Sequence, residues 1–383
     1  MSTPPVIHWT ENGQAYSAHW RSENGAPPGR IVTIDDRTTA DEAYGLACQG
    51  TALLWRGDFQ NARQMLIAVA HRADRQSRKP RRAPAAPTTV SAEGFHRYRQ
   101  ARAQRARTLA MLLVLLDGEY RVALPRAPDI REACLEAYGP SPGATLVSLR
   151  AVLGLIGAHE WRIKGIEIPA LGGRIHPHYG VFAPIRSEYV DLVSSTPLPA
   201  LTSARSVAFD IGTGTGVLAA VLARRGIRRV VATDLEPRAL QCARQNIERL
   251  GLTDQVQVEQ ADLFPAGLAA LVVCNPPWLP ARPTAALEQA IYDPESGMLR
   301  GFLNALPAHL EPDGEGWLIL SDLAEHLGLR SRDELLAAFE AARLTVLGRH
   351  DVRPRHPKAR DNTDPLHEAR AAEVTSLWRL AGR

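Results

Sequence analysis

From about residue 205 onward, short apolar runs alternate with longer amphipathic stretches. The runs Ser206–Asp210 and Val230–Asp234 predict buried strands, each ending in an acidic residue. Between and after them, Gly216–Arg225 and Pro237–Leu250 carry apolar residues at helical spacing, and a proline opens the second helix. Strands that alternate with helices predict a parallel sheet covered on both faces, which is a Rossmann-like α/β fold.

The same alternation continues to the end of the chain. Further strands are predicted at Gln255–Gln260, Ala269–Cys274, Trp317–Leu320, Thr345–Val352 and Glu373–Trp378. Helices are predicted at Met298–Leu310 and around Glu334–Arg343. The last strand could lie antiparallel at the edge, and together these elements predict a seven-stranded sheet.

The first half of the chain has a different pattern. Residues 38–75 predict two helices, because Thr39 is a capping residue followed by acids and Asn61–Val69 has helical spacing. The apolar stretch Leu109–Leu116 predicts a buried helix. We therefore expect a mainly helical N-terminal region, with residues 1–75 helical, 76–94 a basic linker rich in proline and alanine, and 95–170 helical or mixed.

Composition narrows the class of protein. With 383 residues, the chain is long enough for two domains, and 45% hydrophobic and 22% charged residues are ordinary for a folded protein. No stretch reaches the roughly 18 apolar residues of a membrane span, and the N-terminus lacks a signal pattern. The cysteines are scattered, and His176 and His178 have no acid or cysteine nearby. We expect a cytoplasmic protein with no membrane contact and no metal site.

Positive charge is concentrated in arginine. The net charge is +4, and two segments before residue 110 are rich in basic residues. These residues are Arg72, Arg75, Arg78, Lys79, Arg81 and Arg82, then Arg97, Arg99, Arg102, Arg105 and Arg107. The second series fits either the solvated face of a helix or a surface that contacts the phosphates of RNA or DNA. The sequence leaves both interpretations open.

The first chemically informative segment follows the first strand of the regular half. Asp210 precedes a turn that contains Gly212, Thr213, Gly214 and Gly216. Glycines at a strand-to-helix turn let the backbone approach a ligand closely. An acid before the first glycine would repel a pyrophosphate, whereas it would suit the cationic amino-acid end of S-adenosylmethionine. This segment predicts S-adenosylmethionine as the cofactor.

Acids also follow the next two strands. Asp234, followed by Leu235, is placed to accept hydrogen bonds from ribose hydroxyls. Asp262 is placed to receive the adenine amine, with Leu263 against the ring. Either acid alone could cap a helix, but open α/β sheets bind ligands along this edge. We therefore expect these residues to complete the cofactor site.

The second chemically informative segment is Asn275-Pro276-Pro277-Trp278, directly after the fourth predicted strand. Two prolines fix the backbone and leave rigid carbonyl groups beside an amide side chain and an aromatic ring. The Asn275 oxygen and the Pro276 carbonyl can each accept a hydrogen bond from a planar NH₂ group, while Trp278 stacks on the substrate. This arrangement predicts catalysis of methyl transfer to a planar nitrogen by positioning and fixed dipoles.

From about Arg174 to Ala381, the chain resembles class I methyltransferases with an Asn-Pro-Pro-aromatic motif. These include release-factor glutamine methyltransferases and the methyltransferases of adenine and guanine amines, and they share a "small domain". The resemblance implies a methyltransferase domain over residues 171–383. The segment with Phe182, Pro184, Arg186 and Glu188 is similar to one that closes over the cofactor in the glutamine branch, although Ile185 interrupts Pro184 and Arg186. It implies cofactor contacts by Phe182 and Arg186.

The substrate is open at this stage. The arginine-rich segments and Trp278 favour a nucleobase amine in RNA or DNA, whereas the segment around Pro184 favours a glutamine amide in a protein substrate. A small molecule is a third alternative. The glycine spacing disfavours a nicotinamide-dependent dehydrogenase. A non-enzymatic binding protein on the same fold is disfavoured because Asp210, Asp234, Asp262 and Asn275 are all present.

Overall fold

The computed structural model describes residues 4–22, 25–77, 91–199, 206–283, 286–355, 361 and 364–383. The chain divides into two units, one drawn from residues 1–86 and 96–160, the other from residues 87–95 and 161–383. Most of the predicted basic linker, including Arg78, Lys79, Arg81 and Arg82, lies outside the described residues. The boundaries expected from the sequence stay predictions.

The first unit combines strands and helices. Its strands are β1 Val6–Glu11, β2 Gln14–Arg21, β3 Arg30–Ile34, β4 Thr51–Trp55, β5 Leu112–Leu116 and β6 Thr145–Ser148. Its helices are α1 Ala40–Cys48, α2 Phe59–Ser77, α3 Ala92–Ala110, α4 Arg131–Tyr138 and α5 Leu149–Lys164, of which α3 and α5 extend past the unit's limits. Among the described residues, the strands form a six-stranded mixed sheet in the order β1-β2-β6-β5-β4-β3.

The expectation of a mainly helical N-terminal region is therefore wrong. The apolar runs in β4 and β5 are inner strands, and every residue of β4 is buried. A strand covered on both faces loses the alternation of apolar and polar residues, so a short apolar run cannot be distinguished from a buried helix. Leu109–Leu116 was misassigned for this reason, since only its first residues end α3.

A hairpin signal in the first unit was also missed. Asn12 and Gly13 have φ angles of +51° and +79°, and they join β1 to β2. An Asn-Gly pair favours the left-handed backbone of a two-residue hairpin turn. Trp9 pairs with Tyr16 across the two strands, and their rings stack at 5.6 Å between centroids. The dipeptide could have identified the hairpin from the sequence.

The second unit has the predicted α/β architecture. Its strands are β7 Ile166–Ile168, β8 Gly173–Ile175, β9 Val207–Ile211, β10 Arg229–Asp234, β11 Val256–Gln260, β12 Ala269–Cys274, β13 Leu310–Ser321, β14 Leu344–Val352 and β15 Thr375–Gly382. Its helices are α6 Glu188–Ser195, α7 Val217–Arg224, α8 Pro237–Arg249, α9 Gly297–Ala305, α10 Leu323–His326, α11 Arg332–Ala341 and α12 His367–Ala372. In the described part of the chain, β9 to β15 form one seven-stranded sheet.

The order of this sheet determines where a ligand can bind. It runs β11-β10-β9-β12-β13-β15-β14, and β15 is antiparallel to both of its neighbours. The chain winds outward from β9 in one direction and from β12 in the other, so β9 and β12 flank the switch point. Ala208 and Phe209 of β9 belong to apolar clusters on opposite faces of the sheet. Both faces are therefore covered, and the carboxyl edge at the switch point is the expected binding crevice.

Candidate active site

The segments after β9 and β12 lie side by side at this edge. Cys274 pairs with Ile211 in the parallel register, so Asn275 leaves the sheet next to Gly212. Asp234 ends the neighbouring strand β10. The fold thus brings together the glycine turn and the Asn275–Trp278 segment, as the sequence predicts.

Asp210 is an internal support of the glycine turn. Its side chain is buried, and Oδ2 accepts hydrogen bonds from Thr213 Oγ1 at 2.6 Å and from the Ala219 amide at 3.0 Å. Oδ1 accepts none from the described residues. The pKa of Asp210 is raised to about 6, because burial, together with the charge of Asp234, outweighs the lowering effect of these two hydrogen bonds. A cationic ligand near Oδ1 would stabilise the charged form.

Asp234 supports the same turn from its other side. Its Oδ2 accepts a hydrogen bond from the Gly214 amide at 2.9 Å, and its Oδ1 accepts one from the Glu236 amide at 3.0 Å. Gly214 has a φ of +55°, which glycine adopts without the cost that a side chain would add. The two predicted cofactor acids therefore also fix the backbone that would receive the cofactor.

The apolar neighbours of these acids differ in exposure. Leu235 is 58% exposed, so it offers an apolar surface at the sheet edge. Leu263, in contrast, packs against the cluster that contains Phe302, and its carbonyl accepts a hydrogen bond from Thr233 Oγ1 at 2.6 Å. Asp262 is exposed. The cofactor contacts of Asp262 and Leu263 stay predictions.

Trp278 has a contact that the sequence did not predict. Its Nε1 donates a hydrogen bond to Asn275 Oδ1 at 2.9 Å. Its ring is partly buried and packs against the apolar clusters on both faces of the sheet. The indole therefore orients the Asn275 carboxamide, and it occupies one of the two acceptor sites of that oxygen. Stacking of Trp278 on a flat substrate stays a prediction.

Arg186 forms an ion pair with a buried acid, and its contact with the cofactor stays a prediction. Its Nη1 lies 3.2 Å from Oε1 of Glu373, whose side chain is fully buried and also accepts a hydrogen bond from Ser321 Oγ at 2.7 Å. This ion pair ties the segment that contains Phe182, which is partly buried, to the end of β13. Sequence reasoning missed Glu373, which lies just before β15 and gives no motif signal.

Asn246 was also missed. It is buried on the inner face of α8, where its Oδ1 accepts a hydrogen bond from the His176 amide at 2.8 Å. Its Nδ2 donates to the Thr215 carbonyl at 3.0 Å. One side chain thus links the glycine turn to the chain that precedes α6. A polar residue at an apolar position of a helical pattern is the signal that could have found it.

The histidines near this site have local partners. His176 Nδ1 lies 2.7 Å from the Arg162 carbonyl, and His178 Nε2 lies 3.0 Å from Gln245 Oε1. Within the described residues, no group of three or more histidine, cysteine or acidic side chains could hold a metal ion. None of the described helices is long and apolar enough to cross a membrane.

The arginines of α3 make contacts within the first unit. Arg105 forms an ion pair with Asp74 at 2.7 Å, and Arg102 donates a hydrogen bond to Tyr98. Arg107 bonds to Gln104. Such contacts are typical of the solvated face of a helix, and Arg102 and Arg107 are exposed at the surface.

Comparison with known proteins agrees with this geometry. Residues 172–346 match the family model described as the methyltransferase small domain. Release factor glutamine methyltransferase of Cereibacter sphaeroides is 33% identical over 175 residues, which cover 42% of this chain and 62% of that protein. Ribosomal protein uL3 glutamine methyltransferase of Bordetella pertussis is 32% identical over 159 residues, covering 37% of this chain and 53% of that protein. The chain spans less than two thirds of the length of these relatives.

A solved structure of ribosomal protein L11 methylase from Lactobacillus delbrueckii subsp. bulgaricus is 16% identical, with a TM-score of 0.36, covering 55% of this chain and 86% of that chain. The family match over residues 172–346 identifies a methyltransferase small domain, and the glutamine methyltransferase relatives support its assignment to the class I S-adenosylmethionine-dependent methyltransferases. The match supports the resemblance to class I methyltransferases that the sequence predicted, while the roles of Asp210 and of the Asn275–Trp278 segment stay predictions.

Proposed function

We propose that this protein transfers the methyl group of S-adenosylmethionine to the side-chain amide nitrogen of a glutamine in a protein substrate. The observation that carries the proposal is the position of Asn275 at the end of β12, directly beside the glycine turn after β9. Donor and acceptor sites then share one edge of the sheet. The two glutamine methyltransferases among the relatives support this choice of substrate.

The residues at the edge fit this cofactor. Asp210 offers a buried carboxylate oxygen for a cationic amino group, and the exposed Leu235 offers an apolar surface for a nucleoside. The cofactor, when bound, supplies an electrophilic methyl group on a sulfonium sulfur. No phosphate contact is required, which agrees with acids at the ends of β9 and β10.

The acceptor side would act through hydrogen bonds rather than through a strong base. The second acceptor site of Asn275 Oδ1 and the Pro276 carbonyl would each take one N–H of the glutamine amide. These bonds hold the nitrogen with its lone pair directed toward the methyl donor. As the N–C bond forms, the bond between the sulfonium sulfur and the methyl group would break, with S-adenosylhomocysteine as the leaving group. One amide proton would pass to solvent water, so that the product is a neutral secondary amide.

Two structural observations favour an amide over a nucleobase. The Trp278 ring is packed into the apolar clusters on both sheet faces, so it presents less surface for stacking than the sequence predicts. Arginines of α3 are engaged locally, as in the Arg105–Asp74 pair. A nucleobase amine in RNA or DNA is the alternative outcome of the test.

The test uses the purified full chain, methyl-labelled S-adenosylmethionine and extract of cells that lack the protein. We expect label in the protein fraction, with N5-methylglutamine in its hydrolysate, and none with the Asn275→Ala variant. Release of the label by nuclease digestion, or label only in small molecules, would contradict the glutamine proposal. Calorimetry with S-adenosylmethionine checks cofactor binding separately.

A further inference from the structure

Asp293 is a buried acid outside the motifs described so far. It is 5% exposed and precedes α9. Its Oδ1 accepts a hydrogen bond from the Met298 amide at 3.0 Å, and its Oδ2 accepts one from the Leu299 amide at 3.0 Å. Both carboxylate oxygens thus satisfy amides in the first turn of α9, where a negative charge is also favoured by the helix dipole.

The backbone of Asp293 holds the end of the Asn275–Trp278 segment. Its amide donates to the Leu279 carbonyl at 2.9 Å, and the Leu279 amide donates to the Ile291 carbonyl at 3.2 Å. Leu279 directly follows Trp278 in the chain. The position of the Asn275 segment therefore depends on where Asp293 is held.

The helix that Asp293 caps also reaches the glycine turn. A Cβ atom added at Gly212 would lie 2.7 Å from Cε of Met298, so the first turn of α9 is packed closely against this glycine. Between Asp293 and α9, Glu295 and Ser296 both have left-handed φ angles, of +57° and +55°. Such angles cost energy in residues with side chains and persist when the surroundings enforce them.

The charge of Asp293 faces the same site. The pKa of Cys274 is raised well above its usual value by burial and then by the charges of Asp210 and Asp293. Arg330 lies on the other side, with Nη1 at 3.5 Å from Ser296 Oγ, and its pKa is lowered by burial and raised again by Glu325 and then by Asp293. The charge of Asp293 thus acts both on Cys274, at the end of β12, and on the partly buried guanidinium of Arg330.

From these contacts we infer that Asp293 is a positioning residue for methyl transfer. Through Leu279 it fixes the acceptor segment Asn275–Trp278, and through α9 and Met298 it fixes that segment against the glycine turn at Gly212. Asp293 therefore sets the distance between the acceptor nitrogen and the methyl donor. The inference rests on the proposed methyltransferase activity and extends it to a residue that contacts neither substrate nor cofactor.

The first test measures methyl incorporation into extract protein at varied S-adenosylmethionine for Asp293→Asn, Asp293→Ala and wild type. A misplacement of about 1 Å costs roughly 100-fold in rate, so we expect a maximal rate about 10–100-fold lower for alanine and a smaller loss for asparagine, which keeps one acceptor. The KM for S-adenosylmethionine should change less than about threefold. Equal losses of rate and cofactor affinity would overturn the inference.

Ser331→Ala is the matched control, because Ser331 caps α11 through its bond to the Glu334 amide at 3.1 Å. Loss of either cap should lower the melting temperature by roughly 2–4 °C. Only the Asp293 variants should lose rate. If Asp293→Ala and Ser331→Ala have the same rate, Asp293 has a stability role alone and the inference is wrong.

A second readout needs no methyl transfer. The Trp278 indole N–H gives an NMR signal that is assigned by its loss in Trp278→Phe. We expect this signal to shift in Asp293→Asn and to stay in place in Ser331→Ala. An unchanged signal in both Asp293 variants would overturn the inference. Absence of methylation by the wild type in the extract would contradict only the proposed function, because the NMR signal does not depend on methyl transfer.

Discussion

The two halves of the carboxyl edge are held in place by different means. On the cofactor half, Asp210 accepts hydrogen bonds from the Thr213 hydroxyl and the Ala219 amide. Asp234 accepts one from the Gly214 amide of the glycine turn. On the acceptor half, the Asn275 carboxamide is oriented by the indole of Trp278. The acids of the cofactor half therefore bond mainly to backbone amides, whereas the functional carboxamide of the acceptor half is oriented by another side chain.

This difference has a consequence for substitutions. A change at Asp210 alters both the charge that a cofactor meets and the turn that receives it. A change at Asn275 or Trp278 leaves the turn intact, since their bonds do not include it. We expect the first kind of change to affect cofactor affinity and the second kind to affect the rate.

Asn275→Ala should have the largest effect. It removes an acceptor that orients the substrate nitrogen, and loss of one such preorganised group lowers the rate by about 100–1,000-fold. S-adenosylmethionine affinity, measured by calorimetry, should stay within about threefold of wild type. If cofactor affinity falls in parallel with the rate, the two halves are not independent.

Asp210→Asn comes second. The change keeps the shape of the side chain and removes a buried charge, and loss of one member of a buried charge pair costs about 2–5 kcal/mol. We expect cofactor affinity to fall by at least about 30-fold, while far-ultraviolet circular dichroism stays that of wild type. Unchanged affinity would show that Asp210 serves the turn alone.

The pH dependence of cofactor binding also tests whether the charge of Asp210 contributes to cofactor affinity. Burial raises the pKa of Asp210 to about 6, so the carboxylate is charged above that pH and becomes protonated below it. If the charged form binds the cationic cofactor, affinity should be constant above pH 6 and fall by up to about tenfold per pH unit below it. Calorimetry at several pH values checks this, and Asp210→Asn should remove the dependence.

The sequence predicted the two units unequally. In the second unit, β9 and β12 end in motifs, and their strands alternate with helices that have one apolar face, so fold and edge could both be predicted. In the first unit, β4 is apolar after Thr51 and β5 is apolar throughout, and nothing local distinguishes them from helices. A strand buried on both faces can be predicted where a motif and regular alternation with helices accompany it, whereas a short apolar run without them cannot be distinguished from a buried helix.

The candidate site shows the same limit. Asp210, Asp234 and Asn275 were predictable because each lies at the carboxyl end of a predicted strand or directly after it. Glu373 pairs with Arg186, which lies far away in sequence, and the backbone of Asp293 bonds to that of Leu279, so no spacing rule connects these residues to the motifs. Contacts of this kind can be identified only from the folded structure.

Trp278→Phe should have the smallest effect and tests the acceptor half most directly. Phenylalanine keeps an aromatic ring for the two apolar clusters but lacks the N–H that bonds to Asn275 Oδ1. A hydrogen bond of this kind contributes about 1 kcal/mol, so we expect a maximal rate about fivefold lower, with cofactor affinity unchanged. Combining this change with Asn275→Ala should give no further loss, because the indole would act only through the carboxamide. Additive losses in the double variant would mean that Trp278 contacts the substrate itself, and the stacking role predicted from the sequence would then be the better interpretation.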